Sequence, residues 1–402
     1  MATPNWKNRT VWTADCLYAL RGMNSESVDL IYLDPPFNSN ANYAAPIGSK
    51  AAGAEFRDTW SLSDVDAEWI NLMEGKHPAL YRVLLAAITD SDKSYLAYMA
   101  ARILEMRRVL KPTGSIYLHC DPTMSHYLKL VMDAVFGREN FRNEIAWCYR
   151  KWAVAAGQFV RNHDILLFYS REPSGARPFN VQYLSPSAGT LKRWKGKRQQ
   201  AVFEHGIRKA TSTDEEAGVP CPDWWEISVI NPNAKERTGY PTQKPLALLE
   251  RVIRASSNNG DMVLDPFCGC ATTMVAAETL GREWAGVDVS PLAVKLVGDR
   301  LREQHGVFGQ IVARTDIPKR TDLGALPPPR THRNVLYGQQ SGFCAGCSEH
   351  FMVRHLEVDH IIAKAKGGTD HIENLQLLCG ACNRVKGDRG MEYLRARLQF
   401  HN

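Results

Sequence analysis

The chain has 402 residues, 44% of them hydrophobic and 23% charged, with a formal net charge of +6, a balance expected of a soluble protein with one large domain and a small one. No apolar run is long enough to span a bilayer and the first residues are polar, so no membrane span or secretion signal is expected, and cytoplasmic action is. Of ten Cys, six are scattered and four form two Cys-x-x-Cys pairs near the C-terminus, the arrangement of a metal site in a reducing compartment rather than of a disulfide framework.

In chain order, Asn8–Asp15 contains a short β-like segment and a helical run follows from Cys16. Val28–Leu33 reads as a more strongly apolar strand that ends at Asp34-Pro35-Pro36-Phe37. Both strands finish with an acid where strand meets loop, the edge at which open α/β sheets bind ligands. The two prolines stiffen the second loop and remove two N–H donors, so the Asp34 carboxylate and nearby carbonyls form an acceptor array suited to an exocyclic amine. Phe37 can stack on a flat ring, which an extruded nucleobase requires.

Ser39–Asp58 has little periodicity and reads as a lid over that pocket, with 56–60 as its anchor. Leu62–Asp90 and Ser94–Leu110 read as helical; Lys111–Gly114 turns into a strand at Ser115–His119. Met124–Phe136 reads as a helix, and Ile145–Tyr149 and Asp164–Tyr169 as strands. His163 has no evident partner and reads as structural. Regularity then fails between about Ser170 and Asn231. From Phe141 to Ala210 there are 13 Lys or Arg against 4 Asp or Glu, densest at Lys192–Arg198 around Trp194. Basic residues around an aromatic can neutralise phosphates while the ring stacks, so this stretch is a candidate nucleic-acid reader.

Tyr240–Pro245 precedes a helix at Leu246–Ser256. Val263–Thr273 then reads as a buried strand turning sharply into a helix whose free N–H groups point into a crevice. The loop lacks the lysine and spacing of a P-loop, so a nucleoside with little negative charge fits it better than ATP. Trp284–Asp288 reads as the next strand, with Asp288 placed to accept hydrogen bonds from ribose hydroxyls. Leu292–Gln304 is the last helix of this domain.

Arg314–Arg330 is rich in Pro and basic residues and reads as an extended linker. Beyond it Cys344, Cys347, Cys379 and Cys382 supply four thiolates with the spacing of a closed, structural zinc site, a clip that a module of this size needs. Cys268 and Cys270 read as small buried hydrophobes.

These motifs resemble the amino-group DNA methyltransferases that use S-adenosylmethionine, in their circularly permuted order. Asp34, Pro35, Pro36 and Phe37 look like the catalytic tetrapeptide, and Asp265–Thr273 looks like the cofactor motif, with Asp265, Phe267, Gly269 and Thr272 as cofactor residues. The likeness adds Asp288 for the ribose, Asp15 near the adenine, and Lys244 in the segment by the methionine end. Ala271 stands where members often carry Gly. The resemblance implies direct attack of an amine nitrogen on the sulfonium methyl, with Asp34 polarising the amine. Asp at the head of the tetrapeptide leans toward adenine N6; the alternative is cytosine N4.

Leu356–Ile362, Gly367–Thr369 and Glu373–Leu378 resemble the HNH nucleases. That likeness makes His360 the general base, Asn374 its orienting residue, and Asp359 and Asn383 ligands of a Mg²⁺ or similar ion; Asn383 replaces a frequent His. The alternative is a zinc module that only binds DNA. The expected architecture is therefore a doubly wound, mostly parallel α/β methyltransferase domain over 1–305, with a target-recognition insertion at about 170–240. A linker over 306–335 and a small ββα-metal domain over 336–402 complete it. Double-stranded DNA is the expected partner, no membrane is, and the family implies a homodimer.

Overall fold

A computed structural model describes residues 3–399 except 40, 45–48, 50, 52–54, 59, 63–69, 72, 152–156, 174–176, 196, 206, 217 and 306–309. Its strands are β1 (Thr10–Thr13), β2 (Val28–Leu33), β3 (Ala41–Ala44), β4 (Glu55–Asp58), β5 (Leu110–Cys120), β6 (Phe141–Cys148), β7 (His163–Ser170) and β8 (Tyr183–Leu184). They continue with β9 (Lys197–Glu204), β10 (Ile207–Glu216), β11 (Val219–Pro220), β12 (Trp224–Glu226), β13 (Met262–Asp265), β14 (Glu283–Asp288), β15 (Val312–Arg314), β16 (Leu356–His360) and β17 (Leu375–Cys379).

Nine strands form one sheet in the order β12-β6-β7-β5-β2-β13-β14-β1-β15. Only β7 runs antiparallel to its neighbours, so the sheet is mostly parallel as expected. Apolar side chains alternate between its faces. Ile31 and Leu33 pack with helices Cys16–Gly22, Asp90–Val109 and Ser125–Phe136 on one side. Leu30 and Tyr32 pack with helices Leu246–Ser256 and Thr272–Thr279 on the other. Burial on both faces is what lets parallel strands read as continuous apolar runs. Helix Leu246–Ser256 shows the matching stripe: Leu248, Leu249, Val252 and Ile253 are fully buried, worth about 1.5–3 kcal/mol each.

The winding decides where the loops meet. From β2 the chain crosses to β5 on one side, whereas β13 crosses to β14 on the other, and β2 pairs directly with β13 through Val263↔Leu30 and Leu264↔Ile31. The switch point lies between these two strands, and at such a point the loops leaving their carboxyl ends diverge and open a crevice. Asp34–Phe37 and Asp265–Ala271 are those loops.

Three sequence expectations change. Lys111–Gly114 is not a turn before a strand: β5 begins at Leu110, and because Val28 pairs with Leu110 while Leu30 already pairs with Ser115, the Pro-Gly stretch bulges out within it. The linker is not free either. β15 adds to the sheet beside β1, and the Asn24 amide and the backbone of Ser25 bond Thr321 and Asp322, so this part of 306–335 packs on the first domain. In the irregular region, β9 and β10 form an antiparallel hairpin from polar strands with no apolar alternation to signal them, and helix Ala188–Trp194 buries no residue. Part of the expected lid, and residues 63–69 and 72 of the Leu62–Asp90 helix, lie outside the described residues; within them are the β3–β4 hairpin, a helical turn at 73–76 and a helix at Pro78–Leu85.

The C-terminal module pairs β16 antiparallel with β17, and the helix Gly380–Lys386 follows, giving a ββα unit. Among the described residues no helix is long and apolar enough to cross a membrane.

Candidate active sites

One cavity opens at the switch point, and both divergent loops line it: Asp34, Pro35, Pro36 and Phe37 on one side, Asp265 through Cys270 on the other, with Thr272, Lys244 and Asp288 between them. The four carboxylates of Asp34, Asp58, Asp265 and Asp288 face a single basic side chain, Lys244, among the lining residues. Such a cavity repels phosphates and suits a ligand of net positive charge.

The Asp34 loop is pinned from below by Asp58, at the end of β4. Its buried carboxylate accepts from the backbone N–H of Phe37 (3.1 Å), Asn38 (2.7 Å) and Ser39 (2.8 Å), and from the Ser39 hydroxyl (2.6 Å). The segment that reads as a lid anchor thus anchors the catalytic-type loop itself. Asp34 Oδ2 accepts from Lys244 Nζ at 2.5 Å. Asp34 Oδ1 is buried with no hydrogen-bond partner, an unsatisfied acceptor on a residue that lines the cavity. Lys244 Nζ also stands 5.1 Å from the Phe37 ring centroid.

On the opposite wall Asp265 is buried; Oδ1 accepts from Phe267 N and Oδ2 from the Thr273 hydroxyl. Burial pushes its pKa up to about 7, against the lowering by these two bonds. Gly269 has φ +46, the left-handed backbone that favours glycine, and a Cβ there would crowd the Tyr240 ring at 3.1 Å. Ala271 caps the helix Thr272–Thr279 in the left-handed conformation, φ 71, which explains why Gly suits that position and makes Ala there cost about 1–2 kcal/mol. Cys268 and Cys270 are buried, with the thiol of Cys268 pushed well up by burial, as the small-hydrophobe reading expects.

Two cofactor expectations are modified. Asp288 lines the cavity, but Oδ2 accepts from Gly269 N (2.9 Å) and Oδ1 from Ser290 N (2.8 Å), so it straps the turn as well as facing the cavity. Asp15 does not line the cavity, although Ala14 and Cys16 do. Its carboxylate caps helix Cys16–Gly22 through Leu17 N and holds both oxygens 2.7 Å from Arg102 Nη2.

Sequence reading misses His119, which is fully buried behind the Asp34 loop. Nothing in the strand Ser115–His119 marks it, because its partners Tyr32 and Asp164 come from other strands.

In the ββα module the four Sγ atoms of Cys344, Cys347, Cys379 and Cys382 lie within 4.8 Å of one another, three of these residues buried. The thiolates converge as the ligands of a single tetrahedral ion would. His360 Nε2 is 2.7 Å from Asp370 Oδ1, whose other oxygen accepts from Lys364; these contacts hold the Asp370 carboxyl below its usual range, against its desolvation. Asp370 escapes sequence reading because it lies in a loop ten residues away. The Asn374 side chain makes its hydrogen bonds elsewhere than to His360, with Ile362 N, Ile362 O and Thr369 O, clipping the loop that carries Asp370. Nor do Asp359 and Asn383 share a partner: Asn383 donates to Glu357, while Asp359 Oδ2 meets the fully buried Lys386 (3.0 Å) and Gln376 (2.9 Å).

The fold and cavity define an α/β protein with an acid-lined crevice at a sheet switch point, suited to a ligand of net positive charge. Residues 28–298 match the N6/N4 methyltransferase family, DNA methylase, and residues 344–389 match HNH endonuclease; the chain belongs to the DNA methylase family. It is an S-adenosylmethionine-dependent DNA methyltransferase with a C-terminal HNH domain. It is 28% identical to the type II methyltransferase M.EcaI of Enterobacter cloacae, over 79% of this chain and 74% of that protein. It is 26% identical to the DNA adenine methyltransferase YhdJ of Escherichia coli K12, over 80% and 94%. The solved M1.HpyAVI–SAM complex is 17% identical, covers 73% of this chain and 98% of its own, and superposes with TM-score 0.42.

Proposed function

We propose that the first domain is a circularly permuted amino-methyltransferase that methylates adenine N6 in double-stranded DNA, and that the HNH domain is a metal-dependent endonuclease acting on the same DNA. The observation that carries the first half is that the Asp34 loop and the Gly269 turn line one acid-rich cavity, with Asp34 Oδ1 buried and without a hydrogen-bond partner. An exocyclic amine brings N–H donors to it, and as the nitrogen becomes tetrahedral those bonds strengthen, a preorganised electrostatic effect. S-adenosylmethionine supplies an activated methyl on a sulfonium, and its positive charge fits the acid-rich wall. Asp265, Phe267, Gly269, Thr272 and Asp288 would hold it, with Lys244 near Asp34. The adenine assignment rests on the tetrapeptide's Asp and agrees with the name of the YhdJ relative.

In the HNH domain, an ionised Asp370 can only accept, so Nε2 of His360 carries the proton and Nδ1 keeps the lone pair that would activate water. Both contacts to Asp359 fall on Oδ2, which leaves Oδ1 for a hard cation such as Mg²⁺. Asn383 would have to release Glu357 to join it. The four-cysteine cluster would hold a structural zinc, whose bonds stabilise a small core.

Mapping modified bases in DNA from cells expressing the chain tests the first half: N6-methyladenine in a fixed sequence is expected, and N4-methylcytosine overturns the adenine reading. For the second half, purified protein with Mg²⁺ should cut unmethylated DNA, and premethylated DNA should resist. Equal cutting of both would sink the link between the domains.

A further inference from the structure

We propose that His119 is a positioning residue for methyl transfer, fixing both ends of the segment Tyr32–Phe37 that presents Asp34 to the target amine. The inference rests on the amino-methyltransferase reading of the cavity and deepens it.

His119 sits near the end of β5, beside the end of β2. Its imidazole is buried and satisfied on both nitrogens: Nδ1 is 2.8 Å from the Tyr32 hydroxyl, and Nε2 is 3.2 Å from Asp164 Oδ2. Asp164 Oδ1 accepts from the Tyr149 hydroxyl at 2.9 Å. These contacts, led by the imidazole, hold the Asp164 carboxyl below its usual range although burial opposes it. An ionised carboxylate accepts only, so Nε2 donates to it, and Nδ1 pairs with the Tyr32 hydroxyl on the other side of the ring. The imidazole thus ties the Tyr32 side chain to Asp164.

The imidazole face supports the other end of the segment. The Phe37 ring stacks on it with centroids 5.8 Å apart and planes at 27°, and Trp147 meets the imidazole edge-on at 5.6 Å. Tyr32 and Phe37 both line the cavity and bracket Asp34. One side chain thus holds the segment before Asp34 by a hydrogen bond and after it by a stack. An aliphatic side chain would fill a buried strand position without requiring two polar partners, so what the network adds is orientation, and a misplacement of about 1 Å at a reacting centre costs on the order of a hundredfold in rate.

Two substitutions separate the contacts: His119→Gln keeps hydrogen-bonding capacity without the ring, and His119→Phe keeps a ring without the hydrogen bonds. Each purified full-length variant is assayed for labelled methyl transfer to unmethylated phage DNA, for S-adenosylmethionine affinity by calorimetry, and for thermal unfolding. The expected result is a loss of tenfold or more in kcat for both, with the affinity and the KM for S-adenosylmethionine within threefold of the parent. Asp164→Asn, outside the cavity lining and equal in size, should lower kcat at least threefold and serves if the His119 variants do not fold. Parent-like kcat in these variants overturns the proposal. So does a fall in cofactor affinity and unfolding midpoint that tracks the fall in kcat, because that marks a packing role alone. A parent chain that binds S-adenosylmethionine but labels no DNA refutes the methyltransferase reading itself, a failure visible before any variant is compared.

Discussion

Asp58→Asn removes one oxygen from a side chain that accepts four hydrogen bonds from Phe37, Asn38 and Ser39. The substitution keeps the shape but turns one acceptor into an NH₂ donor, which must then face at least one N–H group. Bonds to a buried carboxylate contribute about 1.5–3 kcal/mol each, and a donor left facing a donor loses that bond and adds a desolvation penalty of about 1–3 kcal/mol. Losing one such bond and orphaning its N–H therefore comes to at least about 3 kcal/mol, which lowers the ordered-to-open ratio of the loop by about a hundredfold or more. The loss is local, since the loop can open to water without unfolding the sheet. Methyl transfer to unmethylated DNA should accordingly fall by between about tenfold and a hundredfold in kcat/KM, whereas the denaturant midpoint of the whole domain shifts little. Activity within threefold of the parent would refute the claim that Asp58 orders the Asp34 loop. A collapse of the global midpoint in step with activity would refute the claim that the effect is local.

The remaining expectations concern charge, metal and cleavage. Asp265, with its pKa pushed up to about 7 by burial, holds a proton below that pH, and a cationic ligand favours its ionised form. S-adenosylmethionine should therefore bind more tightly as pH rises from about 6 to 8, and calorimetry across that range should find the slope abolished in Asp265→Asn; an unchanged slope removes Asp265 as its source. Stripping metal with a strong chelator, or substituting Cys382→Ser, should unfold the C-terminal module and leave methyl transfer intact. Retained protease resistance of residues 344–389 after zinc loss counts against a structural ion. His360→Ala should abolish Mg²⁺-dependent cleavage while DNA binding in a gel-shift assay persists, and cleavage at the parent rate would leave His360 without a catalytic role.

What the amino-acid sequence by itself determined here is what lies in short continuous stretches. Apolar runs closed by Asp34 and Asp288, the small-residue turn at Gly269 and the two Cys-x-x-Cys pairs carry their meaning locally, because strand burial, turn conformation and thiolate spacing depend on neighbours a few residues apart. That Ala271 stands where Gly is frequent came from the family resemblance; its left-handed backbone came only from the structure. Tertiary structure alone decided which groups share a partner. Residues 34 and 269 line one cavity only because β2 and β13 are adjacent and their connections wind apart. His119 gains its role from Tyr32, Phe37 and Asp164, which two other segments supply. Asp58 reaches the Asp34 loop from a hairpin, and Asp370 reaches His360 across a loop clipped by Asn374. The stretch read as a linker contributes a strand to the sheet edge, since pairing depends on an open neighbour as much as on composition. Hydrogen bonds and ion pairs act over a few ångströms in space regardless of separation along the chain, so a chain read one segment at a time can propose such groups but cannot pair them.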